Sequence, residues 1–329
     1  FELDEAFLTL GGSKGALTAG RKRLAWGVSP HGSLALSGRG PAPELVHGRL
    51  RLWGQELQSF LALLSDEAGL TRLLYGHRLE LSFGETFTLG LVDMSLTAQE
   101  NARLVAPFLI PWIPNALAEW QSFPGVPEGQ TVNSQVAVEV EWRPGPRIFG
   151  EWFADDSKLA DWQDTRAKRW AFAAGIEAYP GPWTTGYEYR RIGSWTFTHY
   201  ARSTEIRNYR WPIGAPEGPD MDRHLAWASR SLGAWEGRVA GERRRRGENR
   251  LGTLFEVGGV EGDPFPSGTV EGRWILAGTV KRTFGSVGEV NLDAFLQSIT
   301  NVNNQEGSDE TVLGVRVAFH LRPNPLVRR

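Results

Sequence analysis

With 329 residues the chain has room for one large all-β domain or two ordinary ones, and it is read as a single domain over 1–329. A net charge of −2 gives no basic field to draw nucleic acid. Zero cysteines exclude a disulfide framework, thiolate zinc sites and thiol catalysis. No run of about 18 apolar residues occurs, because the nearest candidate, Leu104–Trp120, is broken by Pro107, Pro111 and Pro114. There is no signal peptide at Phe1, where the chain opens inside a strand-like phrase, so an N-terminal segment is expected to be missing.

In chain order, strand-like segments fall at 3–10, 16–26, 44–53, 55–65, 70–83, 85–97, 131–143, 146–156, 169–180, 183–198, 222–233, 235–247, 268–283, 288–300 and 310–322. The clearest is Val132–Arg143. Val132, Ser134, Val136, Val138, Val140 and Trp142 fall on one face, and Asn133, Gln135, Ala137, Glu139, Glu141 and Arg143 on the other. The same two-faced pattern recurs at 183–197, 268–283 and 310–322. A soluble sandwich alternates too, but its strands run about five or six residues, whereas about ten are needed to cross a bilayer. Several segments here reach twelve. The 14 tryptophans suit a membrane–water interface, their rings apolar and their N–H polar. The pattern predicts a transmembrane antiparallel β-barrel of about 16 strands, 14 to 18 being admissible. A strand beyond the fifteen segments is expected near 33–38 or 251–259.

Short turn signals at Pro144-Gly145-Pro146, Pro180-Gly181-Pro182 and Gly285-Ser286-Val287-Gly288 alternate with long connections at 99–130, 199–221 and 301–309. Segments 57–64 and 291–299 have some helical character, but their flanks favour strands. The 99–130 connection carries Pro107, Pro111, Trp112, Pro114, Trp120 and Phe123. It is too apolar to float in water and is expected to plug the lumen or cover its mouth, with Trp112 and Trp120 available to stack on sugar rings.

The polar faces predict a lumen network of Glu139, Glu141, Glu151, Asp155 and Glu188 with Arg143, Arg147 and Arg190. Such groups fill a barrel and fix its register, and they also bind sugar hydroxyls, since carboxylates accept and guanidiniums donate. Asp155 and Asp156 are adjacent and face opposite ways, so they do not form an acid–base pair. Glu151 with Asp155 is geometrically conceivable as a glycosidase pair, but no substrate cleft accompanies it. His77 and His224 stand at no metal-ligand spacing; His77 is read with Arg78 and Glu80 as one polar network. Arg243, Arg244, Arg245 and Arg246 put two guanidiniums on each face, which places them at the membrane edge. They are either a solvated strand end or a contact for lipid phosphates or an anionic polysaccharide. No cofactor motif occurs: Gly11-Gly12-Ser13-Lys14-Gly15 lacks the spacing of a phosphate loop.

Trp26-Gly27-Val28-Ser29-Pro30-His31-Gly32-Ser33-Leu34-Ala35-Leu36-Ser37, preceded by Gly20-Arg21, resembles a signature of the Wzi-type capsule assembly proteins, departing from it at Val28 and Ser29. Gly76-His77-Arg78, Gly150-Glu151 with Asp155-Asp156, Gly186-Tyr187-Glu188-Tyr189, and Gly214 with Gly218-Pro219-Asp220-Met221-Asp222 resemble further motifs of that family in the same order. Together they cover about 16–233. The resemblance implies a non-enzymatic barrel in the outer membrane of a diderm bacterium that holds capsular or other surface polysaccharide at the cell exterior. It adds Asp220 and Asp222 to Glu151, Asp155, Glu188, Arg190, Trp112 and Trp120 as candidate sugar ligands. The other expected partner is outer-membrane lipid, and a monomer is favoured over a trimer. A general porin rests on the same alternation and stays open as the alternative.

Overall fold

The computed structural model describes residues 4–101, 103–120, 124–126, 131–155, 169–199, 201–252, 264–285 and 288–321. Fifteen strands form one antiparallel sheet in which every strand pairs with its sequence neighbours. They are β1 (Ala6–Gly11), β2 (Gly15–Arg21), β3 (Glu44–Leu52), β4 (Gln55–Leu63), β5 (Thr71–Phe83), β6 (Phe87–Gln99), β7 (Val132–Trp142) and β8 (Arg147–Asp155). The meander continues with β9 (Trp170–Ala178), β10 (Trp183–Ile192), β11 (Met221–Leu232), β12 (Trp235–Arg246), β13 (Glu271–Phe284), β14 (Gly288–Thr300) and β15 (Glu310–Leu321). Among the described residues no ladder joins β1 to β15. Each corresponds to one expected segment, and 57–64 and 291–299 are strands. The expected 16–26 and 183–198 overrun, because the chain leaves the sheet at Arg21 and Ile192 and turns inward. Of the expected extra strand, Leu36–Ser37 forms a two-residue pair with Ala25–Trp26 outside the main sheet, while 253–260 lies outside the described residues, as do Phe123 and Asp156.

Turns from odd to even strands are short and those from even to odd strands are long, which gives the sheet a short-turn end and a long-loop end. The β3–β4 hairpin turns on Trp53 and Gly54, both at positive φ (52° and 80°), the geometry that matches the twist of the flanking strands. Register carries one face across the sheet. Leu10 pairs Leu17, and Leu79 pairs Leu91, which pairs Val138, which pairs Trp152. This outward face holds the exposed apolar side chains, Leu276, Leu313 and Val315 among them. At the short-turn end Phe83, Phe87 and Trp142 lie side by side across three strands, with Trp183 and Trp235 at the same end of β10 and β12, as in an aromatic girdle. The inward face holds the buried charges: Arg72, Arg78, Glu139, Glu151, Glu188, Arg190 and Arg223.

Candidate functional site

The long-loop half of the inward space is filled by two loops, 22–43 and 193–220. Trp26, Leu34 and Leu36 of the first and Phe197, Ile206 and Ala215 of the second join inward Leu45, Phe60, Leu74, Met94, Phe153 and Ile192 in one apolar core. A plug is therefore present, but loops other than the expected 99–130 form it.

Loop 22–43 carries the tryptophan–glycine motif, and Glu151 grips it. One carboxylate oxygen accepts the backbone N–H of Val28 at 2.7 Å and of Ser29 at 2.6 Å, and the other that of Leu34 at 2.7 Å. The fit requires Gly27: its φ is +142°, and a Cβ there would stand 1.9 Å from the Ser33 hydroxyl and 2.6 Å from Glu151. Trp26 Nε1 donates to Gln58 at 2.9 Å. Arg147 donates to the Val28 carbonyl while pairing with Glu141 and Glu177.

Loop 193–220 is held by two strand residues. Arg72, fully buried, donates to the carbonyls of Ser203 (2.6 Å), Glu205 (2.5 Å) and Arg207 (3.0 Å). Asp155 accepts the Phe197 N–H at 2.6 Å. Arg190, Glu188, Arg223 and Glu217 form a closed ring of alternating charge, with contacts of 3.1 Å for Arg190–Glu188, 2.6 Å for Glu188–Arg223, 2.5 Å for Arg223–Glu217 and 3.0 Å for Glu217–Arg190. Ser29 of the first loop donates to Glu188 and accepts from Arg190, so the ring ties both loops to the wall. Glu217 was not anticipated from the sequence, where nothing sets it apart from an ordinary loop carboxylate. Burial pushes its carboxyl up, but Arg190 and Arg223 outweigh this and hold it below the ordinary value.

Two loop histidines make the plug acid-sensitive. Burial lowers both His31, which packs edge-on against Trp227, and His199, bonded to Thr204 at 2.6 Å, to about 4. Both are neutral in the folded plug and charge when released, so the released form binds more protons between pH 6.5 and about 4. The histidines' contribution to plug stability is thus full above pH 6.5 and falls as pH drops through that window. Protonation of Glu217 removes more at still lower pH. In a planar bilayer, going from pH 7 to about 4.5 should add more openings to the wild type than to the His31→Gln, His199→Gln double variant.

The 99–130 connection lies elsewhere. Its described parts, including a 3-10 turn (Ala106–Leu109) and a short helix, α1 (Asn115–Trp120), pack on the outward face of β5, β6 and β7. There the outward stripe turns polar at His77, Asp93, Ser95 and Ser134, which bare lipid would leave unsatisfied. Asp93 accepts the Asn115 N–H at 2.5 Å, and Ser134, bonded to Ser95, donates to Glu119. His77 bonds Ser59 and the Phe108 carbonyl, each at 2.9 Å. It therefore stands on the opposite face from Arg78 and Glu80, with which the sequence grouped it. This strap turns Leu104, Leu109, Trp112 and Leu117 outward, Trp112 being 79% exposed. The Trp120 side chain lies outside the described residues.

Other candidates separate. Asp220, fully buried, accepts from Ser267, Ser194 and the Asn249 N–H, pinning three loop segments together. Asp222 is outward and paired with Arg245, not in the lumen. The arginine run splits as expected at the long-loop end of β12: Arg243 and Arg245 outward, Arg244 and Arg246 inward. Glu151 and Asp155 spend their bonded oxygens on backbone N–H groups of the plug. Among the described residues no group of three or more His, Asp or Glu side chains is placed to hold a metal. At the mouth, sequence reasoning passed over Tyr209 and Trp211, 53% and 55% exposed, which stand on loop 193–220 with Trp211 packed against Gly40.

Long strands with an apolar, aromatic outward face and a charged inward face, short turns at one end and long loops at the other, define the outer-membrane β-barrel fold. No protein-family model matches the chain, and no curated protein matches it in sequence. Its fold is similar to that of Wzi of Escherichia coli, an outer membrane protein involved in group 1 capsule assembly and a carbohydrate-binding β-barrel. The TM-score is 0.70 at 11% identity, covering 95% of this chain and 69% of Wzi. It is also similar to OccAB4 of Acinetobacter baumannii (TM-score 0.51, 10% identity, 97% of this chain and 74% of that one). For OprD of Pseudomonas aeruginosa the TM-score is 0.50 at 10% identity, over 95% and 78% of the two chains.

Proposed function

We propose that this chain is a non-enzymatic barrel of the outer membrane of a diderm bacterium that binds or organises surface polysaccharide at the cell exterior. The observation that carries the reading is the plug. Two loops are bonded into the long-loop half of the lumen by Glu151, Arg72, Asp155 and the four-charge ring, which favours holding a ligand outside over passing one through. The likeness to a carbohydrate-binding barrel supports it. On this reading Glu151, Asp155, Glu188 and Arg190 are positioning residues that fix the loops, while Tyr209 and Trp211 offer exposed rings to sugar faces beside Arg39. Trp211→Ala should weaken retention of an acidic capsular polysaccharide on immobilised protein by about tenfold, the equivalent of roughly 1.4 kcal/mol. Equal retention by wild type and variant would overturn that assignment, and no glycan retention by either would overturn the function.

The second reading, a general porin, has its own observation. Below the plug the inward face of β12 to β15 is polar and only partly covered, with Arg238, Thr279, Asp293 and Arg316. Large steady conductance from the wild-type protein in a planar bilayer would favour it. Silence from inserted protein would favour polysaccharide binding.

A further inference from the structure

At the long-loop end of β10 to β13, the outward face carries charge where a lipid-facing band is ordinarily apolar. Arg243 is exposed and has no carboxylate partner among the described residues; its guanidinium lies over the Trp274 ring, 5.4 Å from the centroid. Its register partner on the other side is His224, bonded to the Tyr187 hydroxyl at 2.7 Å and facing Tyr189 at 4.7 Å. One step toward the short-turn end the pattern reverses. Ala226 and Gly241 are register partners, and nothing lies within 4 Å of where a Gly241 side chain would begin. The missing side chains leave a groove of about 600 Å³ on the barrel exterior, walled below Arg243 by Leu276 and Leu296.

A cation on an aromatic plate stands at the head of this groove, and an apolar trough runs below it toward the membrane interior. We infer that the groove binds a phosphorylated lipid of the outer leaflet, its phosphate on Arg243 and an acyl chain in the trough over Gly241. Guanidinium suits phosphate geometry, and the lipid anion supplies the counter-charge that the protein does not. An anionic polysaccharide fits poorly, because its hydroxyls would have no partners along Ala226, Gly241, Leu276 and Leu296. The inference is independent of the polysaccharide reading, which concerns the mouth and not the wall.

Delipidated protein in detergent is titrated with bisphosphorylated lipid A and with its dephosphorylated form, and bound lipid is counted by native mass spectrometry. The wild type should favour the phosphorylated form by about tenfold, and Arg243→Gln should abolish most of that preference. Gly241→Leu fills the trough from an open position on a strand and should weaken both forms. Retained heat-modifiable migration shows that each variant is folded. Equal affinity of wild type and Arg243→Gln for the phosphorylated lipid would overturn the proposal. So would a Gly241→Leu variant that binds as wild type, or complete displacement of the lipid by millimolar inorganic phosphate, which would mark a simple anion site.

Discussion

Replacing Glu151 with alanine should raise the conductance of the inserted barrel. The carboxylate holds three backbone N–H groups of loop 22–43, those of Val28, Ser29 and Leu34. The Leu34 N–H is buried and those of Val28 and Ser29 are part-buried; a buried donor left unmet costs about 1–3 kcal/mol, so the loop loses roughly 3 kcal/mol of its hold on the wall. Released, the three groups find water at once, and the lumen opens along the path the loop occupied. Glu151→Gln keeps one carbonyl oxygen for two of the donors and turns an NH2 toward the third, so it should flicker rather than stay open. The check is single-channel recording of inserted protein beside protease accessibility of 22–43. An alanine variant that inserts, conducts no more than the wild type and resists protease as the wild type does would show that Glu151 does not hold the plug.

Glu217→Gln should be strongly destabilising. It takes a closed ring of two guanidiniums and two carboxylates from neutral to +1 in a buried place. Breaking one member of such a set costs about 3–5 kcal/mol, chiefly because the partners keep a charge they no longer balance. A second substitution, Arg223→Gln, removes the excess charge, so the double variant should lose less than the sum of the singles, with a coupling of about 1–3 kcal/mol. The measurement is the midpoint of urea unfolding for the four proteins in the same micelle. Additive losses would mean that the ring is four separate contacts and not one unit.

The wall of the barrel was legible because a lipid-facing strand has a period of two and its length is set by the bilayer. Val132–Trp142 shows both properties without any partner strand. The interior was legible only in kind. Glu151, Asp155, Glu188 and Arg190 were recognisable as inward charges, but Glu151 and Asp155 meet backbone N–H groups, Glu188 meets the Ser29 hydroxyl and the Arg223 guanidinium, and Arg190 meets a loop carboxylate, all from a few tens to more than a hundred residues away in sequence. The strap was misplaced because an apolar, proline-broken loop satisfies a lumen and a lipid-facing surface equally well. The signal that decides between them was present at His77, Asp93, Ser95 and Ser134, polar residues in register on the apolar face. Tyr209 and Trp211 carried no signal, since exposed aromatics in a loop have no periodicity to break.

The strap also constrains how the barrel is assembled. Asp93 stands midway along β6, facing the bilayer, and it is shielded there by the chain's own residues 103–120. A β5–β6–β7 unit inserted bare would carry a carboxylate, an imidazole and two hydroxyls through hydrocarbon, where each unmet polar group costs several kcal/mol. The connection that follows β6 must therefore dock before, or as, the unit leaves water. Insertion of this part of the wall is then a folding event of a prepackaged piece, paced by a loop rather than by strand pairing alone.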